Sequence, residues 1–578
     1  MLLRRGKGKI LALISFLTLS SFLGGCAKKE AMDSSSVSSS SNPEASSALE
    51  ESSSEVSSFP RDEDGFKIFD ESYFKPPMED DGKATSEVRF ADYVEGRERY
   101  QSIKMYLAGE EVPVYKVAIN ENRVWKADAG NRNYAAYASF SLKGKAKVFL
   151  RCAFNPLDDV VIRPLGMNVP YEVDRSRFVI SFWIDTPGQF VIETRYRTLH
   201  LFVNELEEES LGGAIVFKKG IHNKDNDSRI DKNNVIHVHN GERIYLEDGA
   251  LIQGRFLANG ASDFSISGPG VIDGSIFPRN PEEGTATIPL EFNFCSDFSL
   301  SDFLIADPAG WAYNLYFCER VKIRNTKTIS SRSNGDGISV QSCKDVEADG
   351  CFLRTWDDTL VVKNYVDYRN QSEGSTAHIS FSNCLLITDL AQSMEVGYET
   401  IGEQLEDVSF KNITVLHACH KAVMSIHNGN NAKIKDVTYE GITVEDCATG
   451  KGDGNPYLFD FDCSYSPTWS DNHKKTPLGE IDGVKVSNVL VLDGIDSPKV
   501  KITGSLEKRS VYPQEAHYVK NVSFKDVSIY GKELDESYSS IDKEYAENVT
   551  FSNEGSPTGA SYKRSDVSSF GDGVVRLK

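Results

Sequence analysis

The stretch Asp407-Val408-Ser409-Phe410-Lys411-Asn412-Ile413-Thr414-Val415 is answered 29 residues later by Asp436-Val437-Thr438-Tyr439-Glu440-Gly441-Ile442-Thr443-Val444. Each copy opens on an acid, alternates apolar with polar residues, breaks at Asn or Gly, and resumes the alternation. Alternation with a period of two marks a strand with one buried face. Working outward, the same phrase returns as Asp263-Phe264-Ser265-Ile266, Asp297-Phe298-Ser299-Leu300, Arg320-Val321-Lys322-Ile323 and Asn521-Val522-Ser523-Phe524. Val321 and Val346 occupy matching places 25 residues apart. Strand-only repeats in the twenties to thirties stack as coils of a parallel β-helix. An array of immunoglobulin-like domains would repeat near ~100 residues, and leucine-rich repeats would show a Leu ladder, which is absent. The coils are expected over 216–555, with 556–578 as a C-terminal tail.

Ahead of the coils the texture differs. Val148-Phe149-Leu150-Arg151-Cys152, Phe178-Val179-Ile180-Ser181-Phe182-Trp183-Ile184 and Gly188-Gln189-Phe190-Val191-Ile192 alternate between short Asn, Asp, Gly and Pro punctuation. That pattern predicts a small antiparallel β-sandwich over 112–215. Residues 61–111 mix aromatics with acids and show no period. The fold class is therefore all-β. The chain of 578 residues is 40% hydrophobic, with 31 Phe and 24 Tyr, enough for a large core. Its net charge of −21 would be repelled by phosphate backbones, which excludes nucleic acid as a partner.

The N-terminus reads as an address. Arg4, Arg5, Lys7 and Lys9 precede an apolar run from Ile10 to Leu23 that is too short for the roughly 20 residues of a spanning helix. Leu23-Gly24-Gly25-Cys26 resembles the lipobox of bacterial lipoproteins, which implies lipidation at Cys26 after removal of residues 1–25. The Ser-rich segment over 26–60 cannot bury enough surface to order itself and would act as a tether. The expectation is a body held on the extracellular face of the bacterial cell membrane by lipid. Nine further cysteines, among them Cys295, Cys318, Cys343, Cys351 and Cys384, fall within or beside coil strands, as small core residues do. No Cys or His spacing suits a metal, including that of His417, His420 and His427, and no cofactor is called for.

The chemistry concentrates in two acidic phrases. Asp336 lies in Ser333-Asn334-Gly335-Asp336-Gly337. Asp357 and Asp358 lie in Thr355-Trp356-Asp357-Asp358-Thr359, about one coil later. Residues one coil apart stack roughly 4.8 Å apart along the axis, so the three carboxylates come onto one face. Hydrolysis of a glycosidic bond needs one carboxyl to protonate the leaving oxygen and another to activate water.

With Trp311 one coil earlier and Ser342-Cys343-Lys344-Asp345-Val346 between the acidic phrases, the stretch from Pro289 to Asn364 resembles the polygalacturonase and dextranase families. The resemblance implies a right-handed β-helix and inverting glycoside hydrolysis, with Asp357 as general acid and Asp336 and Asp358 holding the water. Asn334, Trp311, Trp356, Lys363, Glu395 and His427 are the expected substrate-binding residues. The chain departs from polygalacturonases at two motifs. Leu390–Gly397 replaces Gly-His-Gly, and Ser425-Ile426-His427 replaces the Arg-x-Lys that meets a uronate. Without that clamp, and with Glu395 expected to repel a carboxylate, the reading favours a neutral chain such as a dextran-like α-glucan. A β-sandwich ahead of the helix also resembles the dextranase layout. A pectinase-type hydrolase and a non-catalytic glycan-binding β-helix are the alternatives. The protein is expected to act as a monomer on a polysaccharide.

Overall fold

The computed structural model describes residues 84–122, 132–153, 157, 159–206, 211–279, 287–471, 474–562 and the backbone of 573–576. The expected leader, tether and Cys26 lie outside the described residues. Among the described residues the only helical turn is a 3-10 turn at Leu165–Met167.

The chain from Ile215 to Ser552 winds into a right-handed parallel β-helix with three sheets. One coil contributes Glu319–Arg324, Lys327–Ile329 and Ile338–Gln341. These pair in parallel with Lys344–Asp349, Phe352–Thr355 and Leu360–Asn364 of the next coil. The third sheet stacks eleven such strands. The repeat read from sequence is the register itself: Val321 pairs with Val346, and Val408 with Val437. These side chains are fully buried in one continuous core. Within it Phe381, Phe410 and Tyr439 stack with centroids 5.2 and 5.0 Å apart, each burial worth ~1.5–3 kcal/mol.

The opening acid has a backbone cause. Asp263, Asp297, Asp345, Asp407, Asp436 and Asn521 all sit at φ between 52° and 56°. Asp and Asn tolerate that left-handed conformation better than other side-chain-bearing residues. All nine cysteines after Cys26 are buried thiols.

The preceding body is a sandwich of two sheets, and it begins earlier than the sequence suggested. Ala84–Phe90 and Ile103–Leu107 are strands of it within the 61–111 segment that showed no period, and Glu110–Val112 straddles its end. Ala84–Phe90 pairs with remote residues near Lys143, whereas Ile103–Leu107 and Glu110–Val112 form a short hairpin with each other. One sheet, which includes Ala146–Cys152 and Val179–Ile184, is antiparallel throughout. The other is mixed, since Thr198–Glu205 runs parallel to Asn133–Lys143. Within the expected tail, Gly573–Arg576 pairs in parallel with Ala84–Phe90.

The sandwich packs on the second sheet of the helix. Tyr115, Val117, Tyr137 and Phe202 share a core with Leu304, Ile329, Phe352 and Ile387. Salt bridges from Arg97 to Asp273 and from Arg132 to Asp307, both 2.8 Å, cross this contact. Covering the second sheet leaves the outer face of the third sheet to the acids.

Candidate active site

The acids owe their position to the start of two third-sheet strands. Ile338 pairs with Leu360, and the Gly337 amide donates to the Asp358 carbonyl at 2.8 Å. Asp336 and Asp358 therefore hold the same register place in adjoining coils, with Trp311 one coil before and Gln392 one coil after. The glycines flanking Asp336 are required by space. A Cβ on Gly335 would lie 2.5 Å from the Arg332 carbonyl oxygen, and one on Gly337 would lie 2.3 Å from that of Thr359. Beneath the Asp pair runs a chain of buried hydroxyls. Thr355 donates to the Asp357 carbonyl at 2.7 Å, and Thr355, Thr359, Thr388 and Ser393 link onward at 2.6 to 2.8 Å. Satisfied networks of this kind rigidify what they carry.

The carboxyls are more enclosed than an open groove would make them: Asp336 is 3% exposed and Asp357 5%. Burial pushes the pKa of Asp336 well above the carboxylate range, helped by Asp357 and opposed by Lys363. Burial and Asp357 do the same to Asp358. Asp357 is also raised by burial, but the amides of Asp358 and Asn334 and the charges of Lys363 and Arg279 hold it back. The sequence reading put the proton on Asp357. Burial raises all three carboxyls, and only Asp357 accepts two backbone N–H groups.

The remaining expected residues divide. Asn334, at φ 52°, turns its amide to Asp357 and accepts from Arg279 at 2.6 Å, so it orients the acid. Trp311 is half-buried beside the acids, with the Lys363 ammonium 5.4 Å from its ring centre. Lys363 is buried and paired with Glu399 at 3.2 Å, which makes it a support behind the acids. Trp356 does not join the site. Its ring is buried toward the sandwich, with the indole N–H 3.4 Å from the Asn122 carbonyl oxygen.

Glu395 and His427 come together, and this corrects the expectation that Glu395 repels a carboxylate. Its charge is answered by His427 at 2.8 Å and by the Ser425 hydroxyl. The other nitrogen of His427 lies 3.2 Å from Asp460, and Lys501 bridges Asp460 and Asp462 at 3.1 and 2.5 Å. Burial opposes the charge on His427, but Glu395, Tyr398 and Asp460 raise its pKa well above the ordinary imidazole value. The other two histidines considered for a metal also have partners of their own. His417 lies between Glu193 and Asp446, and His420 between the Leu390 carbonyl and Asp453.

Sequence reasoning missed Arg279, Gln392, Glu399, Asp460 and Lys501. Glu395, Ser425, Asp460 and Lys501 form one register column, so counting coils forward from Glu395 could have found the last two. Arg279 had no signal, standing 55 residues from the Asn334 it contacts. A cavity of about 670 Å³ between Gln189 and Asn325, where sandwich meets helix, contains none of the acids.

The model of glycosyl hydrolases family 28 matches residues 245–544, just over half of the chain and the whole of this acidic face. The chain belongs to glycosyl hydrolases family 28. Within the family 28 domain lie Asp336, Asp357 and Asp358, and the match makes it a glycoside hydrolase domain. A probable polygalacturonase of Arabidopsis thaliana is 24% identical over 234 residues, covering 39% of this chain and 46% of its own. The chain thus spans about half the length of that curated relative. Among solved structures, Dex49A from Penicillium minioluteum is similar over 80% of this chain and 96% of its own, at 11% identity and a TM-score of 0.42. A hyperthermoactive exopolygalacturonase from Thermotoga maritima is similar over 59% of this chain and 84% of its own, at 16% identity and a TM-score of 0.38.

Proposed function

We propose that the family 28 domain hydrolyses a neutral polysaccharide, a dextran-like α-glucan foremost, with inversion at the anomeric carbon. Asp357 protonates the leaving oxygen, while Asp336 and Asp358 hold and activate the water. The three carboxyls titrate as a set. Productive binding then requires a proton on Asp357, which its two amide donors disfavour in the free protein.

One observation carries the choice of a neutral chain: Lys363, His427 and Lys501 are each matched by a carboxylate. Lys363 meets Glu399, His427 meets Glu395 and Asp460, and Lys501 meets Asp460 and Asp462. A uronate would need a cation not already committed to a carboxylate. Polygalacturonate is the second reading. It is favoured by the family itself, by the name of the Arabidopsis relative, and by Arg279 beside Asn334. The test is to incubate the purified protein with dextran, pullulan and polygalacturonate, size the products, and follow the new anomeric signal by NMR. Cleavage of polygalacturonate alone would reverse the order, and retained configuration would remove the mechanism. The proposal extends to a monomer anchored through lipid at Cys26 on the outer face of the membrane.

A further inference from the structure

We propose that Trp469, backed by Tyr398, forms a subsite where one pyranose ring of the substrate stacks on the indole face turned away from Tyr398, on the C-terminal side of the acids. The inference rests on reading Asp336, Asp357 and Asp358 as hydrolytic. It adds a place and a chemistry for the sugar that those acids do not specify.

The path to it is continuous. The strand carrying Glu395 follows the one carrying Asp358 in the third sheet, and the strand of His427 comes next. Neighbouring strands are about 4.8 Å apart, so His427 stands roughly 10 Å along the axis from Asp358, and five residues further along its strand than the place that matches Asp358. The Tyr398 ring lies on the His427 ring, with centroids 4.1 Å apart and planes 9° apart. Trp469 continues the row at 6.3 Å and 28°. Three near-parallel rings therefore lead away from the acids.

Trp469 stands on a connection that is held firmly. The buried Asn430 amide lies 2.9 Å from the Ser470 carbonyl, 3.3 Å from that of Lys474 and 3.2 Å from the Thr476 hydroxyl. The Ser470 N–H donates to the Ser466 carbonyl at 2.8 Å, closing the backbone turn that carries Trp469, and Lys474 is tied to Glu373 at 2.7 Å. A ring held in place before binding loses little freedom on contact. Trp469 belongs to none of the hydrophobic cores and is only half-buried, as is Tyr398. A large apolar ring with a polar edge suits a ligand that is itself apolar on its faces and hydroxylated at its rim. The matched charges of His427 point the same way, toward a neutral ring.

The experiment uses the full chain carrying Asp357→Asn, so that oligosaccharide is bound without turnover. Isomaltoheptaose, maltoheptaose and heptagalacturonate are titrated by calorimetry into this parent and into the parent with Trp469→Ala, Trp469→Phe or Tyr171→Ala. Tyr171 is an exposed aromatic of the sandwich. The expected result is binding of a neutral heptasaccharide that weakens about tenfold or more with Trp469→Ala. Trp469→Phe keeps a ring and should stay within about threefold, and Tyr171→Ala should match the parent. Equal affinity of Trp469→Ala and the parent overturns the subsite, as does binding of none of the three sugars. If the parent binds through Trp469 but the wild-type enzyme cleaves nothing, the subsite stands and the hydrolase reading falls.

Discussion

Replacing Asp336 by Asn should abolish activity and yet make the protein more stable at neutral pH. The Asp336 side chain is 3% exposed, and its Oδ1 has no hydrogen-bond partner among the described residues. Burial first, then Asp357, Asp358 and Glu399, push its pKa well up, and Lys363 only partly offsets them. A carboxyl near 4 in the unfolded chain and much higher in the folded one makes the folded state bind the extra proton. Between those two values stability falls as pH rises. Asn removes that loss while keeping the shape. The gain should be smallest near pH 4, where the unfolded carboxyl is still about half protonated, and grow to on the order of 1–3 kcal/mol by pH 8. That corresponds to roughly 2 °C in Tm per kcal/mol for a large domain. Differential scanning calorimetry of wild type and Asp336→Asn from pH 4 to 8 reads the effect. Asp345→Asn is the control, an exposed acid at φ 55° where Asn is equally tolerated. A variant no more stable than wild type at pH 8, or a gain that is the same at every pH, would refute the reasoning.

Asp357→Asn and Asp358→Asn should each lower kcat by at least ~10²–10⁴ with the fold intact, whereas Asp345→Asn stays within a few-fold. Burial opposes the charge of His417, but Asp446 and Glu193 outweigh it and raise its pKa, with Arg163 pulling the other way. Its stabilisation should be complete below about pH 6.5 and lost as pH climbs through the raised folded value. His417→Gln should flatten that alkaline fall in Tm. Cys26→Ser should move the protein from the membrane to the soluble fraction, read by immunoblot of fractionated cells; unchanged fractionation would remove the anchor.

Much of the coil architecture was legible because its causes are local. The left-handed corners select Asp, Asn or Gly, and the residues after them alternate because one face is core. Val321 with Val346, and Val408 with Val437, could therefore be matched by spacing alone. The three acids were legible for the same reason, since the two glycines around Asp336 and the coil spacing leave a mark in the sequence. The strands at 84–90 and 573–576 were not, because each is completed by a partner far along the chain. Trp356 was misplaced for a related reason: it adjoins Asp357 in sequence, but the sandwich takes its side chain.

Residue order by itself determined the all-β class, the parallel coils and the register that stacks Asp336 on Asp358, since each follows from backbone preference and a repeating apolar stripe. Tertiary structure decided everything that depends on which charges meet. It set Glu395 against His427, Lys363 against Glu399, and the sandwich residue Glu193 against His417, 224 residues away. It also buried the acids and so moved their proton affinities. Charge interactions depend on distance and on exclusion of water, and neither is encoded by spacing along the chain.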